Sequence, residues 1–266
     1  MTTARRGTRF AQAALARAPR LYLSLLRAVG RGGTQKRTLL ALLRDGDVAI
    51  DIGANEGYFT LLMSDVVGRT GRVHAFEPIQ PTFDRLSVRV ADTAWFRNIA
   101  LVRAACADTA GAATMFVPGA DSGQASLVRH EAAAWACADA VDAQPVDTIR
   151  FDDYAAANGL TRIDFIKLDV EGAELAALTG MGATLAACRP LLCLELYREW
   201  TRGFGHEPRD VIGWLRRAGY DRWFVLRDDA EPADEDDVRR LADEGSLDVI
   251  CARSDAHAGR IARLGR

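Results

Sequence analysis

The sequence predicts an α/β fold with a mainly parallel sheet of seven strands, covered by helices on both faces. From Asp47 onward, short apolar runs alternate with helical stretches, which is the pattern of parallel strands joined by helices. The chain has 266 residues, 49% of them hydrophobic and 26% charged, so it is able to bury a large core. Because no run of about 18 apolar residues exists, the sequence predicts no transmembrane helix.

Seven apolar runs are predicted to form the strands, namely residues 48–52, 73–76, 100–105, 165–168, 191–196, 223–226 and 247–251. Helices are predicted between most of them, near residues 57–67, 82–91, 152–158, 173–178 and 208–218. Residues 112–146 are less regular, with one short strand in TMFV, and we interpret them as an insertion that covers the substrate. The acidic run at 228–237 lacks the ligand spacing of a calcium loop and is interpreted as a solvated loop.

Charge divides the chain into two parts. Residues 1–44 hold ten Arg and Lys residues and no acid, whereas residues 45–266 hold 24 basic and 36 acidic residues, a net charge of −12. We therefore predict a basic helical N-terminal extension over 1–44 and one main domain over 45–266, with a hinge in the Gly-rich residues 30–33. Pro19 divides the extension into short segments. We expect these to pack on the domain or on a second copy of the chain, rather than to act as a targeting peptide or a membrane-surface helix.

Charge and cysteine content also bear on partners and compartment. A main domain at −12 would repel phosphates, so we expect no nucleic-acid partner. The five cysteines are odd in number and include no C-x-x-C pair. This favours reduced thiols and a cytoplasmic location over a disulfide framework or a zinc site.

The segment VAIDIGANEGYFT places an acid and two glycines at the end of the first strand. In an open parallel sheet, ligands bind beyond the carboxyl ends of the strands, where Asp51, Gly53 and Gly57 lie. Glu77 follows the next strand, at the position where an acid accepts hydrogen bonds from both hydroxyls of a ribose. A loop of this spacing lacks the G-x-G-x-x-G pattern of pyrophosphate sites, and the carboxylate of Asp51 favours a cationic ligand. S-adenosylmethionine fits, while an NAD-type oxidoreductase remains the alternative.

Four motifs, DIGANEGYFT, AFEP, IDFIKLDVEGAEL and RPLLCLEL, occur in an order and at separations that resemble the FkbM-type methyltransferases. DTIRFDDYA, and a GFG segment before WLRRAGY, add to the resemblance, which covers residues 46–253. It implies a Rossmann-like class I methyltransferase fold with seven strands and S-adenosylmethionine as cofactor. It further implies O-methylation of a hydroxyl on a small molecule or sugar, in secondary metabolism or glycan modification. A non-catalytic scaffold that keeps the fold is the remaining alternative.

The KLDVEGAEL motif carries the predicted methyl-transfer centre. Lys167 and Asp169 are two apart in or just past a strand, so their side chains share a face. Asp169 is the first candidate to orient or deprotonate the acceptor, or to hold the cationic end of the cofactor. Lys167 and Glu171 are further catalytic candidates. The alternative for Glu171 and Glu174 is a favourable interaction with the dipole of the next helix.

Other candidates are less specific. Glu195 ends the following strand and could share a magnesium ion with Asp169, but no further ligand is evident and an ion pair with an arginine explains Glu195 equally well, so we expect no metal. Among the histidines, His206 in a glycine-rich loop is the catalytic candidate, with a helix N-terminal role as its alternative. The other predicted cofactor contacts are Asn55, Tyr58, Pro78 and Ala105.

Overall fold

The computed structural model describes residues 33–94, 97–119, 122–130 and 141–264, together with Leu21 and Trp135. Most of the predicted extension over 1–44 lies outside these residues, as does its predicted hinge except for Gly33. The described part forms eleven strands: β1 Val48–Ile52, β2 Arg72–Phe76, β3 Ile99–Val102, β4 Ala105–Cys106, β5 Gly111–Pro118, β6 Val141–Ile149, β7 Phe165–Leu168, β8 Leu191–Leu196, β9 Arg222–Leu226, β10 Ala230–Ala233 and β11 Leu247–Ala252.

Helices occupy most of the connections between these strands. They are α1 Thr34–Leu42, α2 Tyr58–Val67, α3 Gln80–Thr93, α4 Phe151–Ala157, α5 Glu174–Gly180, α6 Gly182–Cys188, α7 Arg198–Gly203, α8 Pro208–Arg217, α9 Glu235–Glu244 and α10 Ser254–Ile261. None of the helices in the described part of the chain is long and apolar enough to span a membrane. Four cysteines lie in this part, Cys106, Cys188, Cys193 and Cys251, and all are free thiols.

The main sheet has eight strands in the order β10-β9-β11-β8-β7-β1-β2-β3. Strands β3, β2, β1, β7 and β8 are parallel, whereas β11 is antiparallel to β8 and to β9, and β10 is antiparallel to β9. The predicted α/β fold with a mainly parallel sheet is confirmed, with one strand more than the seven expected. The additional strand, β10, lies at the edge of the sheet.

Side chains from both faces of the sheet are buried, as the continuous apolar strands predict. Along β1, Ala49 packs toward α1 and α2 with Leu39 and Leu62. Ile50 and Ile52 point the other way, into a core that includes residues of α4, α5, α6, α8 and α9. The alternation matters for the site, because Asp51 must share the α2 side of the sheet with Ala49.

Residues 112–146, predicted to be largely irregular, contain a second sheet. Strand β5 pairs with β6 in antiparallel register from Gly111↔Thr148 to Pro118↔Val141, and β4 pairs with β6 in parallel. The TMFV run is therefore part of a longer strand. Met115 and Val117 of β5 pack against Ile79 and Ala105, so this insertion covers the main domain beside the carboxyl ends of β2 and β3.

The acidic run at 228–237 is not the solvated loop that was predicted. Its first half contains β10, and its second half starts α9. The side chain of Asp234 accepts a hydrogen bond from the backbone N–H of Asp237 at 2.8 Å, which caps the helix. Acidic residues in a first helical turn are stabilised by the helix dipole, while Val238 and Ala242 are fully buried one turn apart.

Candidate active site

The site lies where the chain order of the sheet reverses. From β1 the chain proceeds to β2 and β3 on one side, and later to β7 and β8 on the other side. The loops after β1, β2 and β7 therefore meet beyond the carboxyl ends of their strands, the usual ligand position in open α/β sheets.

The loop after β1 fits closely against the end of β7. Gly53 has φ +82°, and a Cβ at this position would overlap the backbone oxygen of Asp169. The N–H groups of Gly53 and Ala54 both donate to the backbone oxygen of Phe76 in β2. Glycine is required at this point because no side chain fits between the two strand ends.

Glu77, at the end of β2, is 4% exposed. Its Oε2 accepts a hydrogen bond from the N–H of Asn55 and its Oε1 accepts one from Ile79, both at 2.9 Å. Burial raises the pKa of this carboxyl to about 7, although the two hydrogen bonds act in the opposite direction. Each oxygen keeps a further lone pair, so the carboxylate is able to accept hydrogen bonds from two neighbouring hydroxyl groups of a ligand.

An open cavity of about 660 Å³ extends from Glu77 to the end of β7. Seven of the predicted site residues line it: Gly53, Asn55, Glu77, Pro78, Ala105, Asp169 and Glu171. The insertion contributes wall residues that the sequence did not predict individually, Met115, Gly123, Ala125 and Leu127, and the main domain adds Ile79 and Cys106. The insertion thus covers the cavity, as expected for residues 112–146.

Asp51 and Lys167 lie behind the cavity on adjacent strands, paired in register. Asp51 has no exposed surface, and the hydroxyl of Thr60 donates to its Oδ2 at 2.6 Å. Burial raises the pKa of Asp51, although Lys167 and Thr60 oppose the shift. Asp51 is thus positioned to affect a ligand through its charge, while its described hydrogen bond goes to α2.

Lys167 joins Asp51 to the cavity. Its Nζ donates to Asp169 Oδ2 at 2.7 Å and lies 5.0 Å from the centroid of the Phe59 ring. Burial lowers the pKa of this ammonium, but the carboxylates of Asp169 and Asp51 outweigh burial, so the pKa is raised overall. In return, although burial alone would raise it, the pKa of Asp169 is lowered by Lys167. Asp169 therefore stays ionised at neutral pH.

Three carboxylates from two strand ends converge beside Lys167, and we call Asp169, Glu171 and Glu195 the acid cluster. Each offers one oxygen, and all three oxygens lie within 4.8 Å of one another. Burial, followed by repulsion from Asp169 and Glu195, raises the pKa of Glu171 to about 9. Burial and Asp169 raise the pKa of Glu195 to about 7, while Ser246 donates to its Oε1 at 2.6 Å. Without a cation, the acid cluster therefore retains protons at neutral pH.

Oxygen donors in this number are chemically suited to a divalent cation. The structure adds Glu171 to the two predicted ligands, Asp169 and Glu195. Lys167 already donates to one oxygen of Asp169, and Asp169 also shares a side-chain hydrogen bond with Glu195. A cation competes here with the ammonium and with the bound protons, and the prediction that the enzyme needs no metal stays a prediction.

The remaining candidates lie outside the cavity wall. His206 lies between α7 and α8, its ring 6.3 Å from that of Phe204, and burial lowers its pKa. Tyr58 is half exposed at the start of α2. Gly57, at φ +81°, precedes that helix, and a Cβ there would overlap Leu86. Glu174 accepts hydrogen bonds from the N–H groups of Gly172 and Val170, the local role that its position at a helix start predicts.

The chemistry of these groups fits S-adenosylmethionine. Glu77 provides acceptors for a ribose diol, and Ile79, Ala105 and Leu127 provide apolar walls for a base. The carboxylates of Asp169 and Glu171 also line the cavity, where they favour an ammonium and a sulfonium. A pyrophosphate would be repelled by the same carboxylates.

The family model of the methyltransferase FkbM domain matches residues 51–222. Three solved structures are similar to the chain at low sequence identity. Methyltransferase FkbM from Methylobacillus flagellatus KT has 19% identity over 79% of this chain and 45% of that chain, with a TM-score of 0.45. Aeropyrum pernix fibrillarin with natively bound S-adenosyl-L-methionine has 14% identity over 81% and 72%, with a TM-score of 0.44. An rRNA methylase from Streptococcus thermophilus has 12% identity over 83% and 95%, with a TM-score of 0.43. No curated protein matches the chain.

Proposed function

The chain belongs to the FkbM family of methyltransferases, and we propose that it transfers the methyl group of S-adenosylmethionine to a hydroxyl oxygen of a small molecule or a sugar. Family membership makes the chain a methyltransferase that depends on S-adenosylmethionine, with the class I fold described above. The oxygen acceptor, and with it a role in biosynthesis, is the proposed part.

One observation carries the proposal. The same cavity is lined by the diol acceptor Glu77, which follows β2, and by the carboxylates of Asp169 and Glu171, which follow β7 on the other side of β1. A hydroxyl group must lose a proton as it is methylated, and a carboxylate is a suitable acceptor for that proton. The insertion narrows the cavity with Met115 and Leu127, which favours an acceptor of small size.

S-adenosylmethionine, when bound, supplies an electrophilic methyl group. The chain must then hold the ribose, orient the acceptor oxygen and take up its proton. Glu77 holds the diol through the free lone pairs of its carboxylate. Asp169, kept ionised by Lys167, is suited to orient a hydroxyl group or to hold a positive charge. Glu171, with its raised pKa, is the better proton acceptor once it is ionised, because a base with a pKa near the working pH is most effective.

Asp169 and Glu171 differ in basicity, which suits them to different steps of the reaction. A carboxylate that is bonded to Lys167 at 2.7 Å is a weak base, but its charge is fixed in place. A carboxyl with a pKa of about 9 holds a proton in the empty site and releases it when positive charge enters the cavity. We therefore propose orientation by Asp169 and proton uptake by Glu171, with His206 as the alternative base.

The proposal also covers partners and organisation. The main domain over 45–266 would act on a small acceptor, because its charge of −12 opposes a polyphosphate substrate. The extension over 1–44 would be accessory, packing on the domain or joining two copies of the chain. A cytoplasmic location is part of the same proposal.

A screen of acceptors tests the function directly. The purified enzyme is incubated with S-adenosylmethionine and with hydroxylated small molecules, sugars or total RNA, and mass spectrometry detects the gain of one methyl group. We expect methylation at oxygen in the small-molecule or sugar arm, slowed by about ten- to a thousandfold in Asp169→Asn and unaffected by a chelator. Methylated RNA, or methylation at nitrogen or carbon, would contradict the proposal. Loss of activity with a chelator that magnesium restores would assign a metal to the acid cluster.

A further inference from the structure

The insertion contacts the acid cluster at a point that the proposed mechanism does not use. The hydroxyl of Ser126 donates a hydrogen bond of 2.8 Å to the backbone oxygen of Glu171. Ser126 is 1% exposed, and two backbone hydrogen bonds with Phe116 hold it beside β5. The insertion is thereby bonded to the residue that carries the proposed base.

A second residue fixes the direction of this contact. The ring nitrogen Nε2 of His130 lies 2.9 Å from the Ser126 hydroxyl oxygen. A carbonyl oxygen only accepts, so the hydroxyl proton of Ser126 points to Glu171 and its oxygen must accept from His130. His130 therefore carries a hydrogen on Nε2. Burial lowers the pKa of His130, which favours the neutral ring, although a hydrogen bond to the Glu171 backbone acts in the opposite direction. The two residues form a directed chain that ends on Glu171.

The backbone that receives this hydrogen bond adopts a strained conformation. Glu171 has φ +52°, a left-handed conformation that is unfavourable for a residue with a Cβ. The next residue, Gly172, also has positive φ, and a Cβ there would lie 2.6 Å from the backbone oxygen of Trp200. Such a turn persists only where its surroundings hold it, and Ser126 supplies a hydrogen bond to the left-handed residue itself.

The ring of His130 is in turn held by neighbouring aromatic rings and by the backbone of a helix. Its ring centroid lies 4.4 Å from that of Trp200 and 5.2 Å from that of Trp135. A Cβ on Gly203 of α7 would lie 2.6 Å from His130 Nδ1, so the ring rests directly on the helix backbone. The chain from His130 to Glu171 therefore transmits the position of α7 and of the insertion to the acid cluster.

We propose that Ser126 and His130 are positioning residues, which hold the turn at Glu171 so that its carboxyl group stays in the cavity between Asp169 and Glu195. The catalytic consequence of this arrangement rests on the proposed function, whereas the structural contact does not. The insertion would then serve as a wall of the cavity and also as the support of the proton acceptor.

Hydrogen exchange of the cofactor-free protein tests the contact without any acceptor. We expect Ser126→Ala to speed amide exchange in the 170–173 turn at least tenfold, because the turn loses a tertiary hydrogen bond. Ser126→Thr keeps the hydroxyl and should stay within about threefold of wild type. Thr114→Ala, an exposed position on β5, is the matched control for general loosening of the insertion. Equal exchange in Ser126→Ala and Thr114→Ala would overturn the proposal.

Carboxyl titration by carbon NMR provides a spectroscopic readout of the same contact. The groups that face Glu171 are Asp169, Glu195, Glu174 and Lys167, and Glu171→Gln identifies its signal by deletion. In Ser126→Ala and in His130→Phe, we expect the proton affinity of the Glu171 carboxyl to fall at least tenfold, because the freed turn lets it reach water. His130→Gln, whose amide nitrogen is able to replace Nε2–H as donor, should preserve the wild-type titration. An unchanged titration in Ser126→Ala would contradict the proposal.

Kinetics then separate the positioning role from the proposed function. With an acceptor from the screen, Ser126→Ala should lower kcat about tenfold and leave the Kd of S-adenosylmethionine within about twofold. In the Glu171→Gln background, Ser126→Ala should have no further effect on kcat, since residues that act as a unit are not additive. Additive losses would overturn the positioning role. If no hydroxylated acceptor is methylated while exchange and titration change as expected, the proposed function fails and the structural contact stands.

Discussion

Acidic side chains lie at both ends of the parallel strands, and the two groups differ in how many basic side chains pair with them. At the amino ends, Asp47 and Asp164 share Arg260, whose nitrogens lie 2.6 and 2.8 Å from Asp47 and 3.1 Å from Asp164. Arg162 adds further ion pairs with both acids. At the carboxyl ends, Asp169 is the one member of the acid cluster with a described ion pair, which it forms with Lys167.

The difference separates a structural charge cluster from a functional one. Removing one partner of a buried ion pair is costly, because it leaves an uncompensated charge in the interior. Carboxylates that are left short of cations take up protons or a cationic ligand, which is why shifted pKa values concentrate at active sites. The amino ends are therefore expected to govern stability, and the carboxyl ends to govern chemistry.

The variant that tests this distinction most directly is Asp169→Asn, which keeps the size of the side chain and removes its charge. If the charge orients or assists the acceptor, kcat should fall by about ten- to a thousandfold. The Kd of S-adenosylmethionine, measured by titration calorimetry, should change much less, because in our proposal Glu77 and the loop after β1 hold the ribose. A weaker Kd with normal kcat at saturating cofactor would instead assign Asp169 to the cationic end of the cofactor. Turnover within about twofold of wild type would place Asp169 outside the reaction.

At the amino ends, Arg260→Met should lower stability and leave catalysis unchanged. The variant leaves Asp47, which is 1% exposed, with only the partly exposed Arg162 as a charged partner among those described. We expect the free energy of unfolding to fall by about 3 kcal/mol, measured by urea denaturation, with kcat per folded molecule unchanged. Arg240→Met removes two exposed ion pairs, with Asp237 and Glu244, and should change stability by less than about 1 kcal/mol. Comparable losses in the two variants would show that burial of Asp47 does not matter.

The sequence predicted the carboxyl edge better than it predicted the insertion. The runs that became β1, β7 and β8 were placed at their observed residues, because continuous apolar strands flanked by turns are a local signal. Strand β6 was missed, since VDAQPVDTI includes a proline and several polar residues and only one of its faces is buried. Its pairing with β5 is a long-range feature that no local pattern contains.

Within the site, the sequence indicated which side chains meet but not how they are paired. The proximity of Asp169 to Glu195 followed from neighbouring strand ends. The hydrogen bond from Ser126 to Glu171 spans 45 residues of chain and depends on the tertiary position of the insertion, which no local pattern contains. The complete burial of Asp51 likewise depends on α2 lying over the strand, which the VAIDIGANEGYFT motif does not reveal.

Glu77→Ala distinguishes two roles among the residues at the carboxyl ends of the strands. It should weaken cofactor binding and leave the methyl-transfer step unchanged. The free energy of S-adenosylmethionine binding should become less favourable by about 1.5 to 3 kcal/mol, the scale of hydrogen bonds to a charged group. In the wild type, a carboxyl pKa of about 7 means that the acid is protonated as pH falls below this value. Ligand hydroxyl groups favour the ionised form, so affinity should decrease from pH 8 to pH 6. An unchanged Kd in the variant would refute the ribose assignment.

The smallest expected effect is a gain in stability from Glu171→Gln, and its pH dependence tests the comparison at both ends of the strands. In the unfolded chain this carboxyl ionises near its ordinary pKa of 4.5, whereas in the folded protein it ionises near 9. A group with a raised folded pKa contributes stability that is complete below about pH 4.5 and is lost as pH rises towards 9.

Glutamine cannot ionise, so Glu171→Gln should match wild type at pH 5 and exceed it by about 1 kcal/mol at pH 8.5. Urea denaturation of the cofactor-free proteins at both pH values provides the measurement. The matched variant at the amino ends is Asp164→Ala, which removes the acceptor of Arg260 and of the Val48 N–H and should lower stability at both pH values. If Glu171→Gln is destabilising at pH 8.5, the acid cluster is paired as fully as the amino ends, and the distinction between the two regions does not hold.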